Sequence, residues 1–128
     1  MSVFLDTNVL GYLLATGKKE TIARNLASTR PHISVQVLNE FIAVCLKSGK
    51  DRATAHQLAD AIAKSCTVHD LSLNTYRVAQ AIATRFQLSH WDGLIVAAAT
   101  IAQCETLYSE DMQHGQVIGT VRVVNPFK

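Results

Sequence analysis

Short runs of β-branched and aromatic residues alternate along this chain with longer stretches whose apolar residues recur every three or four positions. The short runs are Val3 to Leu5, His32 to Val35, Thr67 to Leu71, Thr106 to Ser109 and Val121 to Val124. Helical spacing covers Thr7 to Leu14, Gly17 to Ser28, Val35 to Ser48, Asp51 to Ser65, Ser72 to Phe86 and His90 to Gln103. A chain that returns to a strand after each helical stretch favours parallel pairing, because parallel neighbours need a long crossover between them. The expected class is therefore α/β, with a central, mainly parallel sheet.

At 128 residues, with 48% hydrophobic and 17% charged, the chain has the core-forming content of one compact domain spanning positions 1–128 and no room for a second. Ser48-Gly49-Lys50 and Met112 to Gly119 read as turns or loops, Pro31 as a strand entry and Pro126 as the end of the fold. A formal charge of +2 does not by itself announce nucleic-acid binding. Cys45, Cys66 and Cys104 are odd in number and set among apolar residues, which suits core positions in a reducing compartment rather than a disulfide framework. The longest apolar run, Leu94 to Ala99, falls far short of the ~20 residues that cross a bilayer. The first residues lack the basic and apolar segments of a signal peptide, so the expected location is the cytoplasm, away from membranes.

Ten acids occur in the sequence, and five of them lie in four short stretches beside apolar runs. These are Val3-Phe4-Leu5-Asp6-Thr7-Asn8, Leu38-Asn39-Glu40-Phe41, Ser89-His90-Trp91-Asp92 and Leu107-Tyr108-Ser109-Glu110-Asp111, none of which contains a Lys or Arg. An ionised carboxylate beside a core is costly unless something positive accompanies it, and a divalent cation is the simplest partner.

Each acid also has a plainer structural reading. Asp6 follows a strand and precedes a helix, so it sits at the carboxyl edge of the sheet, where open α/β folds place ligands; it is equally suited to cap the Thr7 helix. Asp111 follows the Thr106 strand at that same edge. Glu40 shares a helical strip with Val37 and Val44, which fits either a pocket or a boundary position. Asp92 completes a Ser89-x-x-Asp92 spacing that resembles a capping box. Glu110 and Asp111 are adjacent, so only one of the two is expected to face the crevice, and Ser109 and Asp111, two apart, would share a side. His90 and His114 read as surface residues, while His32, His56 and His69 suggest nothing further. Trp91 is expected to pack on the core, although an exposed ring could stack on a base.

Oxygen-rich ligands without thiolates suit Mg²⁺ or Mn²⁺, ions that usually work on phosphates. No Ser-His-Asp or Cys-His arrangement stands out, and neither G-x-x-x-x-G-K-[ST] nor G-x-G-x-x-G occurs. Taken in order, Leu5-Asp6-Thr7-Asn8-Val9-Leu10, Ser34 to Phe41, Leu88 to Ala98 and Leu107 to Gly115 resemble the motifs of PIN-domain ribonucleases, most nearly the VapC-type toxins of toxin–antitoxin systems. The resemblance runs from the first strand to Val123-Val124-Asn125-Pro126-Phe127, with no motif between Arg52 and Gln87.

That resemblance implies a three-layer α/β/α fold, an acidic pocket for Mg²⁺ or Mn²⁺, and metal-dependent endonucleolytic cleavage of RNA. Asp6, Glu40, Asp92 and Asp111 match the metal-site acids, and Thr7, Asn8 and Ser109 match polar positions that border the pocket. Ser109 stands where the family usually has Thr. The family comparison further implies a homodimer and a small antitoxin protein whose carboxy-terminal segment, often through an Arg, occupies the groove by the acids. Two other classes fit parts of the pattern. A phosphoacceptor receiver domain shares the length and strand-end acids but pairs acids after the first strand and places a Lys after the last. A catalytically inactive RNA- or protein-binding module would keep the fold and lose the activity.

Overall fold

The computed structural model describes residues 2–128. Six strands, β1 (Val3–Leu5), β2 (His32–Ser34), β3 (Thr67–His69), β4 (Thr106–Tyr108), β5 (Val117–Ile118) and β6 (Val121–Val124), form one sheet in the order β3-β2-β1-β4-β6-β5. All neighbours pair in parallel except β5 with β6. Six α-helices fill the connections: α1 (Thr7–Gly11), α2 (Lys18–Ala27), α3 (Val35–Lys47), α4 (Arg52–Ser65), α5 (Leu73–Phe86) and α6 (His90–Ile101). A 3₁₀ turn over Tyr12–Leu14 follows α1, so the expected Thr7 helix is continuous but changes pitch.

The path of the chain decides which helices cover which face. From β1 to β2 to β3 it steps in one direction across the sheet, and from β3 it returns past β1 to β4. Crossovers between parallel strands are right-handed, so the two directions of travel put α1–α4 on one face and α5–α6 on the other. The packing agrees: α3 lies against β2 and α4 against β3, whereas α6 crosses β2, β4 and β6. Both faces being covered near the middle of the sheet, the consecutive residues Phe4 and Leu5 of the central strand β1 are buried together, whereas β6 alternates, with Val121 and Val123 buried and Arg122 exposed.

Helix α6 is buried from Gly93 to Ala99, as its unbroken apolar sequence leads one to expect. Its close approach to α5 depends on Gly93, where an added Cβ would stand 2.9 Å from the Ala79 carbonyl oxygen and 3.1 Å from the Ala83 Cβ. The three cysteines are free and buried.

The expected loop from Met112 to Gly119 contains β5, the antiparallel edge strand. Two residues are too few to show a period, and Val117–Ile118 gains its strand geometry only from pairing with Arg122 and Val121. Trp91 also departs from expectation. The residue is 63% exposed at the start of α6 instead of packing on the core. His32 and His69 meet across β2 and β3, with Nδ1 of His32 2.7 Å from Nε2 of His69 and the rings stacked. Among the described residues no helix is long and apolar enough to cross a membrane.

Candidate functional site

The sheet reverses its direction of travel between β1 and β4, which opens a crevice beyond the carboxyl ends of these strands. Asp6 is the first residue after β1, and its amide donates to the Tyr108 carbonyl at 3.0 Å, extending the β1–β4 ladder by one rung. On the neighbouring strand the Ser109 amide donates to Val124 O, also at 3.0 Å. The backbone of both residues is thereby fixed by the sheet, and their side chains converge: Ser109 Oγ donates to Asp6 Oδ2 at 2.8 Å.

Asp6 does cap α1, accepting from the Thr7 amide at 2.7 Å. Asn8 Nδ2 lies 3.2 Å from Asp6 Oδ2 and 3.3 Å from Ser109 Oγ, while its own Oδ1 accepts from the Glu110 amide at 3.0 Å. Thr7 turns the other way and donates to Glu40 Oε1 on α3 at 2.8 Å. Ser109 Oγ accepts from the Asp111 amide at 3.2 Å, which folds the acid after β4 back towards the crevice. The capping role of Asp6 and its place in a wider cluster are thus compatible. At the start of α6, Ser89 Oγ accepts from the Asp92 amide at 3.1 Å, the forward half of the expected capping box.

Asp6, Glu40, Asp92 and Asp111, with Glu110, line one cavity of about 540 Å³, bounded also by Tyr12, Leu14, Val44 and Trp91. The four motifs, distant in sequence, therefore meet at one place. Asp6 is only 5% exposed. Burial pushes its carboxyl up from 3.8 to about 6, aided by the charges of Asp92 and Glu40 and opposed by the Ser109 and Thr7 hydrogen bonds. Burial likewise raises Asp92, with Asp111 and Glu40 adding to the effect and the Ser89 bond opposing it.

Among the described residues the ion pairs are Lys19–Glu110 at 2.8 Å and Arg24–Glu20 at 2.7 Å. Glu110 is thereby separated from its neighbours in role. It also accepts from Tyr12 Oη at 2.6 Å, and these contacts to Lys19 and Tyr12 hold its carboxyl below the usual range. Lys19 lies over the Tyr12 and Phe127 rings, which close this side of the rim. Asp6, Glu40, Asp92 and Asp111 have no such basic partner among the described residues.

This donor set suits a hard cation: it offers carboxylate, hydroxyl and amide oxygens, without a thiolate or an imidazole in the cavity lining. Among the described residues no three Asp, Glu, His or Cys side chains are drawn together tightly enough to hold one ion by themselves. Such spacing suits Mg²⁺, which dehydrates reluctantly and is commonly held through one or two carboxylates and several waters.

The sequence profile of the PIN domain matches residues 3–117. The chain belongs to the PIN domain family. Three solved structures share this PIN fold at low sequence identity. A toxin–antitoxin complex from Klebsiella pneumoniae superposes with a TM-score of 0.74 at 20% identity, covering 98% of each chain. VapBC-1 from nontypeable Haemophilus influenzae gives 0.75 at 16% identity over 100% of both chains. The sarcin–ricin-loop-cleaving toxin VapC20 from Mycobacterium tuberculosis gives 0.70 at 20% identity, covering 86% of this chain and 90% of that one. Among curated protein sequences none matches this PIN domain.

Sequence reasoning missed three contributors to the site. Gln36, buried on α3, donates through Nε2 to the Trp91 carbonyl at 3.3 Å and so ties the Glu40 helix to the start of α6. Tyr12 and Lys19, which occupy Glu110, carried no signal beyond their membership of a helical stretch.

Proposed function

We propose that this PIN domain is a metal-dependent endoribonuclease of the VapC type, the toxin of a toxin–antitoxin pair, acting as one unit over residues 1–128. The observation that carries the reading is the meeting of four carboxylates without a basic partner among the described residues, one of them buried, in a cavity at the strand ends. The PIN family match and the similarity to toxin structures support it.

In this reading Asp6, Glu40, Asp92 and Asp111 would hold Mg²⁺ or Mn²⁺ between them, some directly and the rest through bridging waters. When bound, such an ion supplies a nucleophilic water and neutralises charge at the scissile phosphate. The protein's own groups set the geometry. Ser109, Asn8 and the Thr7 amide fix both oxygens of Asp6, and the Thr7 hydroxyl fixes one oxygen of Glu40, so these acids lose little freedom on ligation. Glu110, held by Lys19 and Tyr12, leaves Asp111 as the fourth acid. An antitoxin that inserts an Arg among the acids would compete for the same charges, which gives inhibition a direct electrostatic basis. We place the protein in the cytoplasm, as a homodimer with an antitoxin protein as its partner.

The test is cleavage of total cellular RNA by purified, antitoxin-free protein with Mg²⁺ or Mn²⁺, beside EDTA and Asp6→Asn controls. Discrete fragments that vanish in both controls support the assignment. Equal cutting by Asp6→Asn would overturn the site, and no cutting with either ion would favour a binding module that keeps the fold without the activity.

A further inference from the structure

A second hollow of about 350 Å³ adjoins the acid cavity and shares Gln36, Glu40 and Trp91 with it. Its remaining lining is Asn39, Leu71 and Leu94, with no Lys or Arg. A phosphate would find no cation here. The composition is that of a nucleobase site instead: an aromatic face, aliphatic walls and two side-chain amides for an edge.

Trp91 is the feature that demands an account. It stands in the first turn of a helix that is buried from Gly93 onward, yet it is 63% exposed and lines both hollows. It does not wave free. His90 meets the Trp91 ring edge-on at 5.6 Å and meets Tyr76 in the same manner at 6.1 Å, and Gln36 holds the Trp91 carbonyl. A second, independent observation concerns Gln36, which is 6% exposed and whose Oε1 has no hydrogen-bond partner. A buried amide oxygen without a partner costs about 1–3 kcal/mol, so a ligand that supplies a donor is favoured there.

Building on the nuclease reading, we infer that this hollow takes the unpaired base of the nucleotide next to the scissile bond, stacked on Trp91 and read at its edge by Gln36 and Asn39. Because Glu40 belongs to both hollows, a base in one places its phosphate at the mouth of the other. Each of the four bases presents an N–H donor along its edge, so the free acceptor on Gln36 favours a base without choosing among them. The site accounts for a requirement for single-stranded or loop RNA, since a paired base cannot present its face to the ring.

Trp91 is the only tryptophan in the chain, so its fluorescence reports directly on stacking. The experiment titrates wild-type protein with tetraribonucleotides of A, C and U and with a blunt RNA duplex, in EDTA and again with Ca²⁺. Quenching by all the single strands and none by the duplex is expected. Anisotropy of labelled tetranucleotides should show Trp91→Ala weakening binding about 5- to 150-fold, the equivalent of one lost base stack, with Trp91→Phe retaining part of it. Asn39→Ala should weaken binding of the A, C and U tetranucleotides alike, and by less than Trp91→Ala does.

Absence of quenching by any single strand, in a preparation that cuts RNA with Mg²⁺ or Mn²⁺, would overturn the base site and leave the nuclease reading standing. Quenching without cleavage would do the reverse. Unchanged RNA affinity in Trp91→Ala with lost binding of the partner protein would assign the ring to that partner and also overturn the inference.

Discussion

Replacing Asp6 with Asn should stabilise the metal-free protein at pH 8 and do so progressively less as the pH falls. The carboxyl of Asp6 is raised from 3.8 to about 6 by burial and by its acidic neighbours. Between these values the folded state binds more protons than the unfolded one, so stability declines as pH rises through that window and stays low above it. At ~1.36 kcal/mol per unit, a shift of about 2 units gives a ceiling of roughly 3 kcal/mol of destabilisation fully expressed above pH 7 and nearly gone by pH 4. The amide removes this burden but disturbs the hydrogen bonds from Ser109 and Asn8, at a cost of about 1–2 kcal/mol that does not vary with pH. The variant-minus-parent difference between pH 4.5 and pH 8 therefore isolates the charge. Urea unfolding in EDTA at several pH values should show that difference growing by about 2 kcal/mol in favour of the Asp6→Asn variant over this range, the first ~1 kcal/mol of the ceiling being already present at pH 4.5. Saturating Mn²⁺ should then stabilise the parent more than the variant, because a cation relieves the same repulsion. A variant-minus-parent difference that stays flat from pH 4.5 to pH 8 would refute the argument, since it would mean that the Asp6 carboxylate is as well solvated in the folded protein as in the unfolded chain.

Gly93→Ala should cost about 1–3 kcal/mol in thermal or urea unfolding and lower cleavage as well, because the new methyl meets the Ala79 carbonyl and must push α6, with Asp92 on its first turn, away from α5. Ser34→Ala, at the residue preceding α3, should be neutral or stabilise by up to about 1 kcal/mol, since the buried hydroxyl makes no cap bond and has no partner; a loss of ~1 kcal/mol in urea unfolding, the usual cost of deleting an N-cap, would contradict this. Lys19→Ala should tighten Mn²⁺ binding by about two- to five-fold in calorimetry, the scale of a screened surface charge, because it frees Glu110 and removes a positive charge from the rim.

Much of the architecture could be read from local pattern. Strand β1 and helices α3 to α6 announce themselves through β-branched runs, helical spacing and the Ser89 capping pattern, and each falls within a few residues of its expected bounds. The four acids were legible for a chemical reason: carboxylates beside apolar runs are rare enough to need a partner, and strand ends in an α/β fold share an edge. Strand β5 was not legible, because its two residues are a strand only by virtue of β6. The pairing of His32 with His69 was equally hidden, since it follows from β2 and β3 being neighbours in register.

The sequence by itself determined the kinds of element, their order and the chemical types available at the strand ends, all of which depend on residues near one another in the chain. Only the tertiary structure decided which acid is neutralised. Glu110 and Asp111 are adjacent and chemically alike, yet Lys19, 91 residues earlier, engages the first, while the Ser109 hydroxyl holds the backbone of the second. The structure likewise placed Trp91 at the rim instead of in the core, because α6 enters the sheet only from Gly93 onward. Such outcomes depend on contacts between distant segments, and no local pattern encodes a distance.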